Sequence, residues 1–128
     1  MSAQPIVHIE FSANDPAAAS KFYADAFGWK IQTDPQFDYH MFQTDGGPGG
    51  GFVPVDAPTD GGTMQYKPGD VLVYIGSDDI DAALRKIESL GGTVVVPKTE
   101  IPQTGWFGVF RDPTGNRVGL FTSMTSPG

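Results

Sequence analysis

The sequence predicts an α+β fold in which two βαβββ modules follow each other in tandem. Three observations carry this prediction: short segments that alternate apolar and polar residues, one segment with helical periodicity in each half, and the same segment order in both halves. The 17 glycines and 11 prolines favour many tight turns and short strands. One domain, 1–128, is expected to contain modules at about 5–57 and 70–122. One helix would cover each module, and the curved mixed sheets would enclose a cavity.

The first module begins with the strand "PIVHIEFS", which alternates with a period of two. This period assigns three residues to the core face and three to the opposite, cavity face: Val7, Ile9 and Phe11, then His8, Glu10 and Ser12.

A helix is predicted over "NDPAAASKFYADAFG", with Asp15 as N-cap, Pro16 in the first position and Gly28 at the end. Its predicted core stripe consists of Ala19, Phe22, Tyr23, Ala26 and Phe27. The segments "WKIQT", "YHMFQT" and "GFVPV" follow as strands.

The second module repeats this order. The strand "DVLVYIG" is predicted to point Val71, Val73 and Ile75 toward the core, which leaves Leu72 and Tyr74 on the cavity face. The helix in "SDDIDAALRKIESLGG" would begin at Asp78 or Asp79 and end at Gly91. Its predicted core residues are Ile80, Ala83, Leu84, Ile87 and Leu90. The strands "TVVVPKT", "WFGVFRD" and "NRVGLFT" complete the module, the last two joined by the turn "DPTG".

A constant offset of 64 positions superimposes the two halves. Asp15 falls on Asp79, Gly28 on Gly92, and Ile9 on Val73. A shared order of elements at one offset indicates an internal repeat.

Charge and composition disfavour several classes of partner. The formal net charge is −7, and the eight Lys and Arg residues are scattered, so neither nucleic acid nor an anionic membrane is an expected partner. No apolar run approaches the roughly 18 residues of a membrane span, and no secretory signal is apparent. The absence of cysteine excludes disulfides and thiolate chemistry, and it suits a cytoplasmic protein.

Three motifs resemble the vicinal oxygen chelate (VOC) superfamily, which includes glyoxalase I, extradiol dioxygenases, and bleomycin- and fosfomycin-resistance proteins. They are a histidine seven positions before "DP" with "FY" and "FG" beyond it, then "DDIDAAL…GG", and finally "DPTGN". The resemblance extends from about Pro5 to Phe121, and it is closest to small glyoxalase-like proteins carrying "VVVPKTEIP…GWFGVFRDPTGN".

This resemblance implies four metal-ligand positions, one on the first and one on the last strand of each module. They fall on His8, on Leu72, on Gly119, and within residues 49–55, which include no His, Asp or Glu. His8 is therefore the only remaining ligand-type residue. A divalent metal is disfavoured as a cofactor, because a catalytic zinc site has about three protein ligands.

An alternative metal cluster would combine His8, Glu10 and His40, a two-histidine, one-carboxylate set outside the family's positions. Glu100 is expected on a loop or sheet edge.

The ligand-binding candidates are residues expected to line the cavity: His8, Glu10, Tyr74, Arg117 and Trp106. His8 and Glu10 supply hydrogen-bonding groups, Arg117 suits an anionic ligand, and Tyr74 and Trp106 offer aromatic walls. No catalytic residue is assigned.

The sequence thus favours a glyoxalase-like protein that binds a small molecule and has lost most of its metal site. The alternatives are a metal-dependent lyase or isomerase resembling lactoylglutathione lyase, a dioxygenase, or a drug-sequestering resistance protein. The resemblance also implies a homodimer.

Overall fold

The computed structural model describes residues 3–34, 39–54 and 70–124. The first half contains β1 (Ile6–Ala13), α1 (Pro16–Phe27), β2 (Lys30–Asp34), β3 (Tyr39–Gln43) and β4 (Gly49–Pro54). The second contains β5 (Val71–Gly76), α2 (Ile80–Ser89), β6 (Thr93–Ile101), β7 (Gly105–Arg111) and β8 (Arg117–Ser123). The predicted α+β class and the βαβββ order of each half are confirmed.

The chain divides into two compact units, His8–Leu72 and a second unit that joins Val73–Gly128 to Met1–Val7. In the first half the strand order is β2-β3-β4-β1, and β1 pairs with β4 in parallel. In the second half the order is β5-β8-β7-β6, and β5 pairs with β8 in parallel. The other pairs within each half are antiparallel. The first and last strands of each half therefore lie side by side.

Helix α1 begins and ends where the sequence predicts. The Asp15 carboxylate accepts a hydrogen bond from the Ala18 N–H at 3.1 Å, which caps the first turn. Gly28 adopts a left-handed conformation with φ of 74° and donates its N–H to the Ala24 carbonyl.

The core under α1 is largely aromatic. The buried residues Ala13, Phe42 and Phe52 contact a partly buried set: Ile9, Phe11, Ala19, Tyr23, Trp29 and Ile31. Ring centroids of Trp29 and Phe42 lie 4.3 Å apart, and those of Tyr23 and Trp29 lie 4.8 Å apart. Such ring pairs add favourable packing to the burial of apolar area.

The predicted core stripe of α1 is wrong at three positions. Phe22 and Phe27 are 60% and 64% exposed, and Ala26 is also exposed. The buried position is Ser20, whose hydroxyl donates to the Pro16 carbonyl at 2.8 Å. The helix residues that contact the core are Ala19 and Tyr23, and Trp29, just past the helix, packs against the same core.

The N-cap of α2 is one of the two aspartates that the sequence offered. The Asp79 carboxylate accepts from the Ala82 N–H at 3.0 Å, so Asp79 is the cap. At the other end Gly91 has φ of 99°, and the Gly92 N–H bonds the Ile87 carbonyl at 2.9 Å. This is the six-to-one hydrogen bond of a Schellman ending, at the glycine that the sequence indicated.

The second core lies under α2. The buried residues Ile80, Leu84, Phe110 and Leu120 contact a partly buried set: Ile75, Ala83, Ile87, Val94, Trp106 and Val118. Two predicted core residues are exposed instead, Leu90 at 68% and Val71 at 49%. Leu90 is the C-cap, past the turns that contact the sheet, and the cluster reaches along β5 only at Ile75.

Neither helix of the described part of the chain is long and apolar enough to cross a membrane.

Replacing Asp79 by Ala is expected to lower the free energy of unfolding by about 1 kcal/mol, because the Ala82 N–H loses its acceptor. Asp78→Ala is the matched control, since Asp78 is exposed and does not cap the helix. Urea unfolding followed by circular dichroism measures both. Equal losses in the two variants would contradict the assignment of the cap.

Candidate functional site

A polar group lies on the face of the first-half sheet opposite α1. Ile9 and Phe11 point into the core under α1, so the alternation of β1 places His8 and Glu10 on the other face. Tyr39, at the start of β3, joins them there.

The Tyr39 hydroxyl links the two side chains of β1. It donates to Glu10 Oε2 at 2.8 Å and lies 3.0 Å from His8 Nε2. His8 Nε2 and Glu10 Oε2 are themselves 3.9 Å apart. A phenol has one proton, so a hydroxyl that donates to Glu10 accepts from His8, and the geometry assigns the proton of neutral His8 to Nε2.

Gly51 makes this arrangement possible. It lies on β4, between β1 and β3, opposite Glu10 on one side and Met41 on the other. A Cβ atom at Gly51 would overlap Tyr39 Oη and Cζ. Because Gly51 has no side chain, the ring of Tyr39 can extend across β4 and reach both residues of β1.

Burial makes the neutral form of His8 the stable one. The side chains of His8 and Glu10 are 31% and 14% exposed. Desolvation lowers the pKa of the His8 imidazole below its ordinary value of 6.5. The imidazole of the group is therefore neutral at neutral pH.

The equivalent positions of the second half are apolar. The offset of 64 carries His8 to Leu72 and Glu10 to Tyr74, which are 3% and 7% exposed. Tyr74 pairs with Gly119 as Glu10 pairs with Gly51. A Cβ atom at Gly119 would overlap the Tyr74 ring. This half thus has a buried ring over its glycine and no equivalent of the polar group.

Arg117 and Trp106 lie on opposite faces of the second-half sheet. Arg117 is half-buried on β8, two residues before Gly119 and so on the same face, opposite Arg111 in register. Trp106 packs against the cluster under α2, and the Lys98 ammonium lies 5.4 Å from its ring centroid. Trp106 therefore lies on the helix-covered face, away from the face of Tyr74.

The hypothetical His8–Glu10–His40 cluster does not form. Tyr39 points toward His8, so its neighbour His40 points to the other face, where its Nδ1 lies 3.3 Å from Thr33 Oγ1. Glu100 is exposed on β6, opposite Trp106.

The donor set does not fit the four-ligand metal centre of the family. Register places the fourth ligand position at Gly51, the counterpart of Gly119, so Leu72, Gly51 and Gly119 provide no donor side chain. Within 3–34, 39–54 and 70–124, no three His, Cys, Asp or Glu side chains gather closely enough to hold an ion. A chelating site needs several such donors at once.

Tyr39 is the site residue that sequence reasoning missed. The run "YHMF" showed a strand, but its register against β1 depends on pairing with the distant β4. The available signal was the glycine run at residues 49–51, which marks a strand that another side chain can approach closely.

A separate pocket of about 340 Å³ lies in the second unit, beside the ends of β5 and β8. Its lining includes Pro5, Ser77, Asp78 and Thr122, and none of the five candidate residues. We place the candidate site at the polar group, because that is where titratable side chains converge.

Two βαβββ halves with adjacent first and last strands, and a histidine at the first-strand ligand position, define a protein of the vicinal oxygen chelate type. The chain belongs to the Glyoxalase/Bleomycin resistance protein/Dioxygenase superfamily, whose family model matches residues 5–120.

Two curated relatives and one solved structure show the range of the similarity. Putative glyoxylase CFP32 of Mycobacterium tuberculosis is 32% identical over 124 residues, covering 88% of this chain and 43% of the relative. Anthracycline biosynthesis protein DnrV of Streptomyces peucetius is 30% identical over 116 residues, covering 83% and 42%. The chain therefore spans less than half the length of these relatives. Methylmalonyl-CoA epimerase from Mycobacterium tuberculosis has a TM-score of 0.69 at 16% identity, covering 92% of this chain and 87% of that one.

The lowered pKa of His8 predicts a pH dependence of stability. Folding favours the neutral imidazole, so this contribution is complete above pH 6.5 and is lost as pH falls from 6.5 toward the lower pKa of the folded state. Urea unfolding between pH 5 and 8 should show a shallower dependence in His8→Gln than in the wild type.

His40→Gln is the control for this measurement, because His40 lies on the other face and its loss leaves His8 in place. It also assigns the two imidazole resonances in an NMR titration. A His8 resonance that titrates at or above pH 6.5 in the folded protein would contradict the prediction.

Proposed function

We propose that the protein binds a small organic molecule through the group formed by His8, Glu10 and Tyr39, without the family's four-ligand metal centre. The observation that carries this proposal is the hydrogen-bonded link from His8 through Tyr39 to Glu10. These three side chains offer hydrogen-bonding groups to a ligand. The residues at the family's other metal-ligand positions, Leu72, Gly51 and Gly119, have no side chain that could bind a metal.

The chemistry of the group favours a ligand with a hydrogen-bond donor or a positive charge. A carboxylate only accepts hydrogen bonds and can take more than one, so Glu10 suits an N–H, O–H or ammonium group. The net charge of −7 has the sign that attracts a cation. In the second half, Leu72 and Tyr74 are buried, at 3% and 7% exposure. Arg117 remains the candidate residue for contact with an anionic ligand.

The names of the relatives support an organic ligand and give the first compound to test. One relative, 30% identical, is named for anthracycline biosynthesis. We therefore place an anthracycline first in a ligand panel, followed by a bleomycin-like cationic compound. The second compound tests the drug-sequestering variant of the proposal.

A second candidate is a metal-dependent lyase, isomerase or dioxygenase. The name "putative glyoxylase" of the relative that is 32% identical favours it. In such enzymes a metal ion polarises the substrate oxygens while a carboxylate moves the proton. Gly119 lacks the carboxylate that this role would need, which is why we place this candidate second.

Ligand binding is expected to raise the melting temperature of the wild type. A compound at 100 times its Kd would stabilise the fold by about 2.7 kcal/mol. The shift should vanish in Glu10→Gln, which removes the carboxylate charge, and persist in Glu100→Gln, whose carboxylate is exposed on β6. Differential scanning fluorimetry across the panel measures all three proteins.

Two results would overturn the proposal of a metal-free binding protein. One is stoichiometric transition metal in protein purified without added metal, lost in His8→Ala. The other is metal-dependent turnover of the methylglyoxal–glutathione adduct or of a catechol, with no turnover after chelation.

We also propose a homodimer in the cytoplasm, on the strength of the family and the absence of cysteine. The exposed Phe22 and Phe27 of α1 provide apolar surface that a partner would cover. Sedimentation velocity at micromolar concentration is expected to show twice the chain mass of 13.6 kDa. A single species at the chain mass over the whole concentration range would exclude the dimer.

A further inference from the structure

We propose that the Tyr39 ring occupies the space over Gly51 where the family's fourth metal ligand would lie, and that its hydroxyl holds His8 and Glu10 in place without a metal ion. The inference concerns how the site is built, and it stands apart from the proposed function, because it does not depend on which ligand binds.

The Tyr39 ring and a metal-ligating side chain at position 51 exclude each other. Gly51 faces Glu10 in the parallel register of β1 and β4, as Gly119 faces Tyr74 in that of β5 and β8. Any side chain at position 51 begins with a Cβ atom, and this atom would overlap the Tyr39 hydroxyl and ring. Position 51 therefore cannot hold a metal-ligating carboxylate while Tyr39 lies where it does.

In the second half a tyrosine ring also covers the last-strand glycine, but it comes from a different strand of the module. The ring over Gly119 belongs to Tyr74, which comes from the first strand of its half, whereas Tyr39 comes from the neighbouring strand β3. Both last-strand glycines are thus covered by tyrosine rings of unrelated origin. In both halves, therefore, a tyrosine ring occupies the space where the family places a metal-ligating side chain.

The Tyr39 hydroxyl provides a hydrogen-bonding partner for both polar side chains of β1. The phenol accepts from His8 Nε2 at 3.0 Å and donates to Glu10 Oε2 at 2.8 Å, so it satisfies both partners through one proton each. Tyr39 is a positioning residue in this scheme.

The test pairs Tyr39→Phe with Gly51→Ala. The first variant removes the hydroxyl and keeps the ring, and the second displaces the ring by adding a Cβ atom. Nitrogen-15 NMR of the imidazole should show His8 in the Nε2–H tautomer in the wild type, with that preference lost in both variants. Gly47→Ala and Tyr23→Phe are the controls, since both residues lie outside the group, and each should keep the tautomer of the wild type.

A double-variant comparison shows whether the two substitutions act through one contact. The loss of melting temperature in Tyr39→Phe combined with Gly51→Ala should equal that of Gly51→Ala alone, because the displaced ring has already lost both hydrogen bonds. If Gly51→Ala does not fold, the tautomer in Tyr39→Phe decides the question by itself.

Three outcomes would overturn the inference. An unchanged His8 tautomer in Tyr39→Phe would show that the hydroxyl does not hold the imidazole. Additive losses of melting temperature would show that Gly51 acts through another contact. A visible phenolate-to-metal absorption band on addition of Fe³⁺, abolished in Tyr39→Phe, would show that these side chains bind an ion after all. Failure of every compound in the ligand panel would leave all three readouts unaffected.

Discussion

The missing Cβ atoms of Gly51 and Gly119 are the constraint on which the site depends. Each glycine lies on the last strand of its half, beside the first strand in parallel register. In each half a tyrosine ring occupies the space that a side chain would otherwise fill. The rest follows from steric exclusion, because the same volume cannot hold both an aromatic ring and a metal-ligating carboxylate.

The two halves share this construction but differ in the chemistry they present. His8 and Glu10 give the first half a polar group that is partly open to solvent, whereas Leu72 and Tyr74 at the equivalent positions are almost fully buried. A repeated fold therefore carries one polar site and one apolar counterpart.

Sequence patterns predicted the elements well where a local interaction fixes them. The caps at Asp15, Gly28 and Gly91 depend on hydrogen bonds within a few residues, so spacing and residue type identify them. The patterns failed where the neighbour comes from far along the chain. Phe22 and Phe27 were assigned to the core but are exposed, whereas Tyr23 and Trp29 pack against Phe52 and Phe42 of distant strands.

By itself the sequence determined the class of fold, the repeat, the placement of His8 and Glu10 on one strand face, and the absence of donors at Leu72 and Gly119. Each of these depends on residue identity and period alone. Only the tertiary structure decided that Tyr39 joins His8 and Glu10, that His40 points away, and that Trp106 lies under α2. The reason is register: a shift of one residue in β3 or β7 would move every side chain to the other face of the sheet, and pairing between distant strands sets that register.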